Sequence, residues 1–486
     1  MSVFSPVLNF YNNGFHPCSG SVDIPVTSPV DGRRLATLSF STEADLEKAV
    51  ASAAGAFPVW SGMSIRERAQ VFYRYKNLLH EHATALAQLI HEENGKTVGE
   101  AIAEIEKSIE VTEFACSLPQ MMTGELQEVS KGVECRMESV PLGVVACITP
   151  FNFPLMVPHW TIPIAITLGN CMILKPSEKV PLSAMKMAEL LKQAGLPAGV
   201  FNIIHGGSDI AESICNHPRI EAVSFVGSTA VARQVYRTAT HALKKCLALG
   251  GAKNHLLVLP DALPEMTSKN ILASMSGCAG QRCMAASAMI AVGSVQHIID
   301  KLCEEARKLV PGRDIGAVIS REAKERIEHY ISEAESEGAQ VLVDGRNTVV
   351  TGSEEGYYVG PTVIDWVNPG MRIAREEVFG PVICITRTAT LQEALKIENA
   401  NKYGNATSVF TQDGAMAKQV IERANAGMVG VNIGVPVPRE PFSFGGWNES
   451  KFGSGDITGK SSTAFWSKLK KSTVKWQAEA GINWMS

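Results

Sequence analysis

The sequence predicts an α/β protein with more than one domain, and three observations carry that expectation. From residue 143 onward, short β-branched or apolar runs alternate with helical patterns. Such alternation implies right-handed βαβ units around a parallel sheet. A second series begins near His255 and runs to about 445, which implies a second sheet. The length, 486 residues, also exceeds what one ordinary core accommodates.

Hydrophobic residues make up 45% of the chain and charged residues 19%, as in a soluble globular protein. Net charge is −4, with no long block of either sign. Nucleic acid and anionic membrane are therefore excluded as expected partners. The 11 cysteines include no CxxC pair, and many sit in apolar runs such as Val144–Ile148. That usage implies a reducing, cytoplasmic setting, with neither a disulfide framework nor a metal site. Residues 1–6 have no basic region and no apolar core, so no signal peptide is expected. Residues 140–174 carry no formal charge and are long enough to span a membrane. Pro141, Pro150, Pro154, Pro158 and Pro163 interrupt them, with Asn152 and His159. A buried strand, a loop and a buried helix fit better.

The first forty residues read as turn-rich and irregular. Thr42, with Asp45 three positions on, starts a helix. Ser64-Ile65-Arg66-Glu67 is a capping box opening a long amphipathic run towards residue 91. Asn94-Gly95-Lys96-Thr97 looks superficially like a phosphate loop. It lacks the first glycine and follows a helix instead of a strand, so that reading is rejected. A helix then runs through Glu104 and Lys107 to about Cys116, and a half-exposed strand pair occupies 120–140. Strands follow at 143–149, 171–174, 201–205 and 222–226, with helices at 181–195, 208–216 and 229–240 between them. The second series has strands at 288–292, 341–343, 382–386 and 428–432. Its helices lie near 295–310 and at the strongly charged 321–337. The tail after 460 is polar and strand-like up to Trp476, a candidate partner for the 120–140 pair.

Cys283 stands out among the cysteines. It sits in Gly277-Cys278-Ala279-Gly280-Gln281-Arg282-Cys283, amid small residues that leave room for another molecule. A cation such as Arg282 favours the thiolate, the nucleophilic form. The alternative is a small buried cysteine beside a surface arginine. No GxGxxG is present, yet two stretches suit a nucleotide. Ile173-Leu174-Lys175-Pro176-Ser177-Glu178 ends a buried strand in a lysine and then a carboxylate, where open α/β sheets bind ligands. A solvated lysine at an exposed strand end is the competing reading. Ser224-Phe225-Val226-Gly227-Ser228-Thr229 is a strand, a glycine and a helix start, which suits a pyrophosphate or is a plain N-cap. Ile148-Thr149-Pro150-Phe151-Asn152-Phe153-Pro154 places an amide between two prolines at a third strand end. Asn152 could donate there to a developing oxyanion, or be a structural turn residue.

Together these stretches resemble the aldehyde dehydrogenase superfamily over nearly the whole chain. Thr149-Pro150-Phe151-Asn152-Phe153-Pro154, Lys175-Pro176-Ser177-Glu178 and Phe225-Val226-Gly227-Ser228-Thr229 match in order. Leu249-Gly250-Gly251, Gly280-Gln281-Arg282-Cys283 and Glu376-Glu377-Val378-Phe379-Gly380-Pro381 follow. The resemblance implies a Rossmann-like NAD-binding domain at 1–119 and 141–250 and an α/β catalytic domain at 251–460. It further implies a small β oligomerisation flap at 120–140 and 461–486, hence a homodimer or homotetramer. Cys283 would attack the aldehyde, with Asn152 holding the oxyanion. Thr149, Phe151, Lys175, Glu178, Gly227, Ser228, Glu377 and Phe379 would contact the cofactor. Glu178 favours NAD over NADP, because it would repel a 2′-phosphate.

One position departs from the common family pattern. Ala248-Leu249-Gly250-Gly251 stands where most members carry Glu-Leu-Gly-Gly, whose glutamate activates water. Alanine cannot accept a proton, so a thiol such as coenzyme A becomes the expected acyl acceptor. With Gly251-Ala252-Lys253-Asn254-His255 and Val431-Asn432-Ile433-Gly434-Val435-Pro436-Val437-Pro438, this resembles the acylating methylmalonate-semialdehyde dehydrogenases. That branch oxidises a short carboxylate-bearing aldehyde, loses carbon dioxide and delivers acetyl- or propionyl-CoA. Arg282 matches the arginine expected to bind the carboxylate, and Lys107 stands where a second arginine is expected. Lysine keeps the charge but loses the bidentate fork. Arg439-Glu440 is also unusual: Arg439 either takes over anion recognition or faces solvent with Glu440. A hydrolytic enzyme releasing the free acid is the alternative activity.

Overall fold

Two twisted sheets form the body of the molecule, and a computed structural model describes residues 6–476 of it. Residues 1–5, on which the signal-peptide expectation mainly falls, and residues 477–486 lie outside the described residues. The centre of the first sheet is parallel, in the spatial order Phe201–Ile203, Cys171–Lys175, Val144–Ile148, Ile220–Val226, Lys245–Leu249. The chain runs outward from Val144–Ile148 in one direction, then returns to place Ile220–Val226 on its other side. Strand order therefore reverses between these two neighbours. This is a Rossmann-like arrangement, with its ligand crevice expected at the carboxyl ends of that pair.

The sequence accounts for the sheet's position. Val144–Ile148 and Cys171–Lys175 are buried at every residue, as apolar runs flanked by helices must be, and the burial extends to Lys175 at the end of the second. The helices Glu43–Gly62, Pro181–Gln193 and Thr229–His241 pack against it. Both expected capping boxes form, Thr42 with Asp45 and Ser64 with Glu67. Each such cap contributes about 1 kcal/mol.

The second sheet has seven strands in the order Gln340–Val343, Thr362–Asp365, Val382–Thr388, Ala286–Val292, Asn254–Val258, Ala406–Phe410, Met428–Val431. All its pairings are parallel except the first, which is antiparallel. A third, antiparallel sheet joins Ser467–Lys475 to Val133–Pro141, and Val133–Pro141 to Glu125–Ser130. The tail thus finds the strand pair expected as its partner.

Several expectations need correction. Residues up to 41 are not irregular: they contain the strands Asn9–Tyr11, Gly14–His16, Asp23–Thr27 and Arg34–Ser39. These are short and carry Gly14 and Pro25, so local pattern hides them. Their order comes from pairing, as when Phe10 joins Ile203 at the edge of the first sheet. The run towards 91 is two helices, Ile65–Glu81 and Ala83–Asn94, broken at His82. The helix expected to stop near Cys116 continues to Met121 despite Pro119. The tail opens with about two helical turns, Gly459–Phe465, before it becomes a strand.

Candidate active site

Asn152 lies in the loop that leaves the strand Val144–Ile148 at the switch point. Three groups from the helical layer hold this loop. Asn94 Nδ2 donates to Phe151 O at 2.8 Å, and Lys96 Nζ donates to Asn152 O at 2.8 Å. Lys96 also pairs with Glu104 at 2.5 Å, both fully buried, and its ammonium lies 4.0 Å from the Phe153 ring centroid. The second Glu104 oxygen accepts the Leu155 and Met156 N–H groups at 2.8 and 3.0 Å. The turn rejected above as a phosphate loop is therefore a clamp on the Asn152 loop.

Cys283 comes from the loop after the helix Pro264–Ser276. Three successive residues there, Cys278, Ala279 and Gly280, have left-handed φ of 52°, 51° and 70°. For Cys278 and Ala279 that conformation is strained. Gly280 is needed for space, since a Cβ would lie 2.0 Å from Gly380 O. The loop is fastened at its far end. Asn254 Nδ2 and Asn405 Nδ2 both donate to Cys283 O, at 2.8 and 3.0 Å. Asn152 Nδ2 reaches across to Gln281 O at 3.0 Å, bringing the two loops together.

Both loops open onto one cavity of about 430 Å³. Asn152 and Cys283 line it, as do Phe151, Gly227, Ser228, Glu377 and Phe379. The helix Thr229–His241 starts there, and the Ser228 side chain makes no cap bond. Its first N–H groups and helix dipole make an anion seat at the cavity wall. A larger groove of about 720 Å³, beside Glu47 and Asp209, contains none of these residues.

A family model described as the aldehyde dehydrogenase family matches residues 16–472. The chain belongs to the aldehyde dehydrogenase family. It is 41% identical over 459 residues to malonate-semialdehyde dehydrogenase 1 of Geobacillus thermodenitrificans, covering 93% of this chain and 95% of that one. The corresponding Geobacillus kaustophilus protein is 39% identical and covered over 99% of its length. Among solved structures, methylmalonate-semialdehyde dehydrogenase from Oceanimonas doudoroffii superposes with a TM-score of 0.96. The identity is 40%, over 98% of this chain and 99% of that chain. A candidate methylmalonate-semialdehyde dehydrogenase of Sinorhizobium meliloti, complexed with NAD, gives 0.97 at 37% identity, covering 99% of this chain and all of that one.

In this aldehyde dehydrogenase the resting cysteine is a thiol. Burial pushes Cys283 up to about 12, the neighbouring Glu377 adds to the rise, and Arg282 opposes it. The thiolate-favouring effect expected of Arg282 is thus outweighed by desolvation. The Arg282 head is turned to backbone, with Nη2 donating to Ala273 O and Ser274 O at 2.6 and 2.9 Å. Its Nε is buried without a hydrogen-bond partner.

Glu377 also lines this cavity. Its Oε1 accepts the Ala252 N–H at 3.1 Å. Its Oε2 would lie 2.4 Å from a Cβ placed on Gly251. The carboxyl therefore lies against the turn that follows Ala248. Enclosure pushes it up to about 7, against the pull of Ala252 N–H, Lys253 and Arg326. Phe379 beside it has a left-handed φ of 55°, and its ring meets Phe151 edge-on at 5.9 Å.

The remaining expected residues lie elsewhere. Thr149 is engaged in strand pairing, its N–H donating to Lys175 O at 3.0 Å. Lys175 is 5% exposed and not a solvated strand end. Its Nζ donates to Pro176 O at 3.1 Å, lies 3.9 Å from Glu178, and burial lowers its pKa. Neither residue lines the cavity, whereas Lys179 does. Arg282, Lys107 and Arg439, the three expected to meet the substrate carboxylate, are also absent from its wall.

Sequence reasoning missed Arg326, Glu322 and Ser320, which line the cavity from the start of Arg321–Ser336. It missed Asn405 as well. The charged helix was visible, but its docking against the loop that carries Glu377, where Arg326 Nη1 donates to Val378 O at 2.7 Å, has no local signature.

Proposed function

We propose that this protein oxidises a short carboxylate-bearing aldehyde, malonate or methylmalonate semialdehyde, with NAD as the hydride acceptor. Cys283 gives up its S–H proton to solvent and its sulfur adds to the carbonyl, whose π electrons move to oxygen, and the Asn152 amide with the Cys283 N–H holds the oxyanion. Loss of hydride leaves a thioester on Cys283. Decarboxylation and transfer to coenzyme A then give acetyl-CoA or propionyl-CoA. The relatives named for malonate and methylmalonate semialdehyde, and the NAD-bound Sinorhizobium structure, support substrate and cofactor.

The single observation that carries the choice of acceptor is Ala248. It is fully buried in the strand Lys245–Leu249, where the hydrolytic members place their base. The cavity at the end of that strand is walled by Gly250 and Gly251, which have no side chain to activate water.

The cofactor reading draws on the same wall. The uncapped helix start at Ser228 fits a pyrophosphate. Glu377 and Phe379 would hold the nicotinamide ribose, and Lys175 and Glu178 the adenosine ribose. In the third sheet, Leu126, Val129 and Leu469 are exposed. They support its assignment as the flap through which copies associate into a dimer or tetramer.

Hydrolysis to the free acid is the second reading. The enclosed Glu377 favours it, being a carboxylate near Cys283 that could accept a proton from water. Product analysis with each semialdehyde, with and without CoA, separates the two. Acyl-CoA is expected; free acid as the main product in the presence of CoA would reject the first reading.

A further inference from the structure

Two carboxylates among the described residues line the cavity that holds Cys283. Glu322 is exposed on the first turn of Arg321–Ser336 and bonded to Ser320. Glu377 is the enclosed one. It lies against Gly251 and Ala252, at the same strand end from which the usual base is missing. The groups facing it are the Cys283 thiol, the buried Lys253, Arg326 from the charged helix and Tyr403.

We propose that Glu377 is the proton acceptor for the incoming thiol once the nicotinamide has left the cavity. The inference rests on the reading of a thiol as acyl acceptor. A bound nicotinamide's ribose would engage the carboxylate; with the cavity cleared, the carboxylate would face the acyl-enzyme. The acceptor S–H bond breaks and its proton passes to a Glu377 oxygen. The sulfur adds to the thioester carbonyl, while Asn152 Nδ2 and the Cys283 N–H hold the oxygen. The carbonyl–Cys283 bond then breaks with its electron pair on Cys283 sulfur, and Glu377 returns the proton there. Nothing is oxidised or reduced.

The proton affinity suits the task. A carboxyl near 7 is closer to a thiol near 8.5 than an ordinary one at 4.5 would be. Lys253 and Arg326 keep its ionised form within reach of neutral pH. One carboxylate would thus serve ribose binding and proton transfer at different stages of the cycle.

The test isolates the second half-reaction. Cys283 is loaded with p-nitrophenyl propionate, which needs no nicotinamide, and loading is checked by mass spectrometry. The acyl-enzyme is then mixed with CoA. Glu377→Gln is expected to transfer about 100-fold more slowly at pH 7. It should also lose the rise in rate as pH climbs through the carboxyl's range. Glu377→Asp should keep that rise at a lower rate. An aromatic thiol already ionised at pH 7 should take the acyl group from Glu377→Gln at close to the wild-type rate, since no proton has to be removed. Transfer to CoA from Glu377→Gln at the wild-type rate would overturn the proposal. So would an ionised thiol slowed as much as CoA, which would mark a structural role. A wild-type acyl-enzyme that decays equally with and without CoA would overturn the acceptor reading itself, a result distinct from either.

Discussion

Lys107 Nζ lies 2.8 Å from Glu440 Oε2, across 333 positions of chain. The same ammonium is 3.0 Å from Glu110, whose other oxygen lies 3.6 Å from Arg439. Two carboxylates therefore already match the charge at the position where family resemblance placed a second anion-binding arginine. Arg439, with its side chain 81% exposed, takes the solvent side of the network.

This arrangement sets the first expectation. Glu440→Gln should leave Lys107 with Glu110 alone and, by unmasking part of its charge just outside the cavity wall, strengthen binding of a carboxylate-bearing aldehyde. A gain of about 1 kcal/mol, or roughly fivefold in KM, fits a partly exposed pair. Propanal should show no change. Arg439→Ala should leave both substrates unaffected. Steady-state kinetics on the two aldehydes check this, and an equal shift for both would remove Lys107 from substrate recognition.

Asn152→Ala removes a donor expected to face the oxyanion. The rate of NADH formation should fall by about 2.7–4 kcal/mol of barrier, while the protein stays folded. Single-turnover kinetics measure the loss, and circular dichroism checks the fold. A small change in rate would return Asn152 to the role of a turn residue.

Lys96→Met leaves Glu104 buried without its cation. Breaking a buried pair in this way costs about 3–5 kcal/mol. Chemical denaturation should show that loss, and Lys96→Met with Glu104→Gln should recover part of it. Activity of the folded fraction should also drop, because Asn152 O loses its 2.8 Å bond.

Glu93 gives a pH signature. It is fully buried, accepts the Leu182 and Ser183 N–H groups at 2.8 and 2.9 Å, and burial pushes it from 4.5 up to about 7. Between those values the native state holds a proton that the unfolded chain has released. The native state's advantage from this group is complete below about 4.5 and lost as pH rises through about 7. Wild type should therefore lose stability, on the order of 2 kcal/mol, between pH 5 and pH 8. Urea titrations across that range should show a shallower decline for Glu93→Gln, and an unchanged slope would count against the buried carboxyl as its source.

What could be read without coordinates followed from local chemistry. Val144–Ile148 and residues 171–174, which carry no charge, read as buried strands because short apolar runs alternating with helical patterns suit a parallel sheet. Thr42, Ser64 and the alternation after 143 marked helix starts and βαβ units, since caps and periodicity act over a few residues. Cys283 and Asn152 stood in stretches with local chemical readings of their own, Glu377 only in a motif matched to the family, and all three line one cavity.

Only the tertiary structure decided what depends on distance in the chain. The strand Asn9–Tyr11 exists through its pairing with Gly14–His16 on one side and Phe201–Ile203 on the other, and its own residues do not demand it. Lys96 could not be read as the clamp on Asn152, nor Glu440 as the partner of Lys107, because each pair joins segments far apart in sequence. Charge at Cys283 was likewise out of reach. Arg282 is its neighbour in sequence, but desolvation and Glu377 act through space and win. The sequence alone determined which groups are present and which local elements carry them; burial and long-range pairing, which only the folded chain supplies, decided their protonation and their partners.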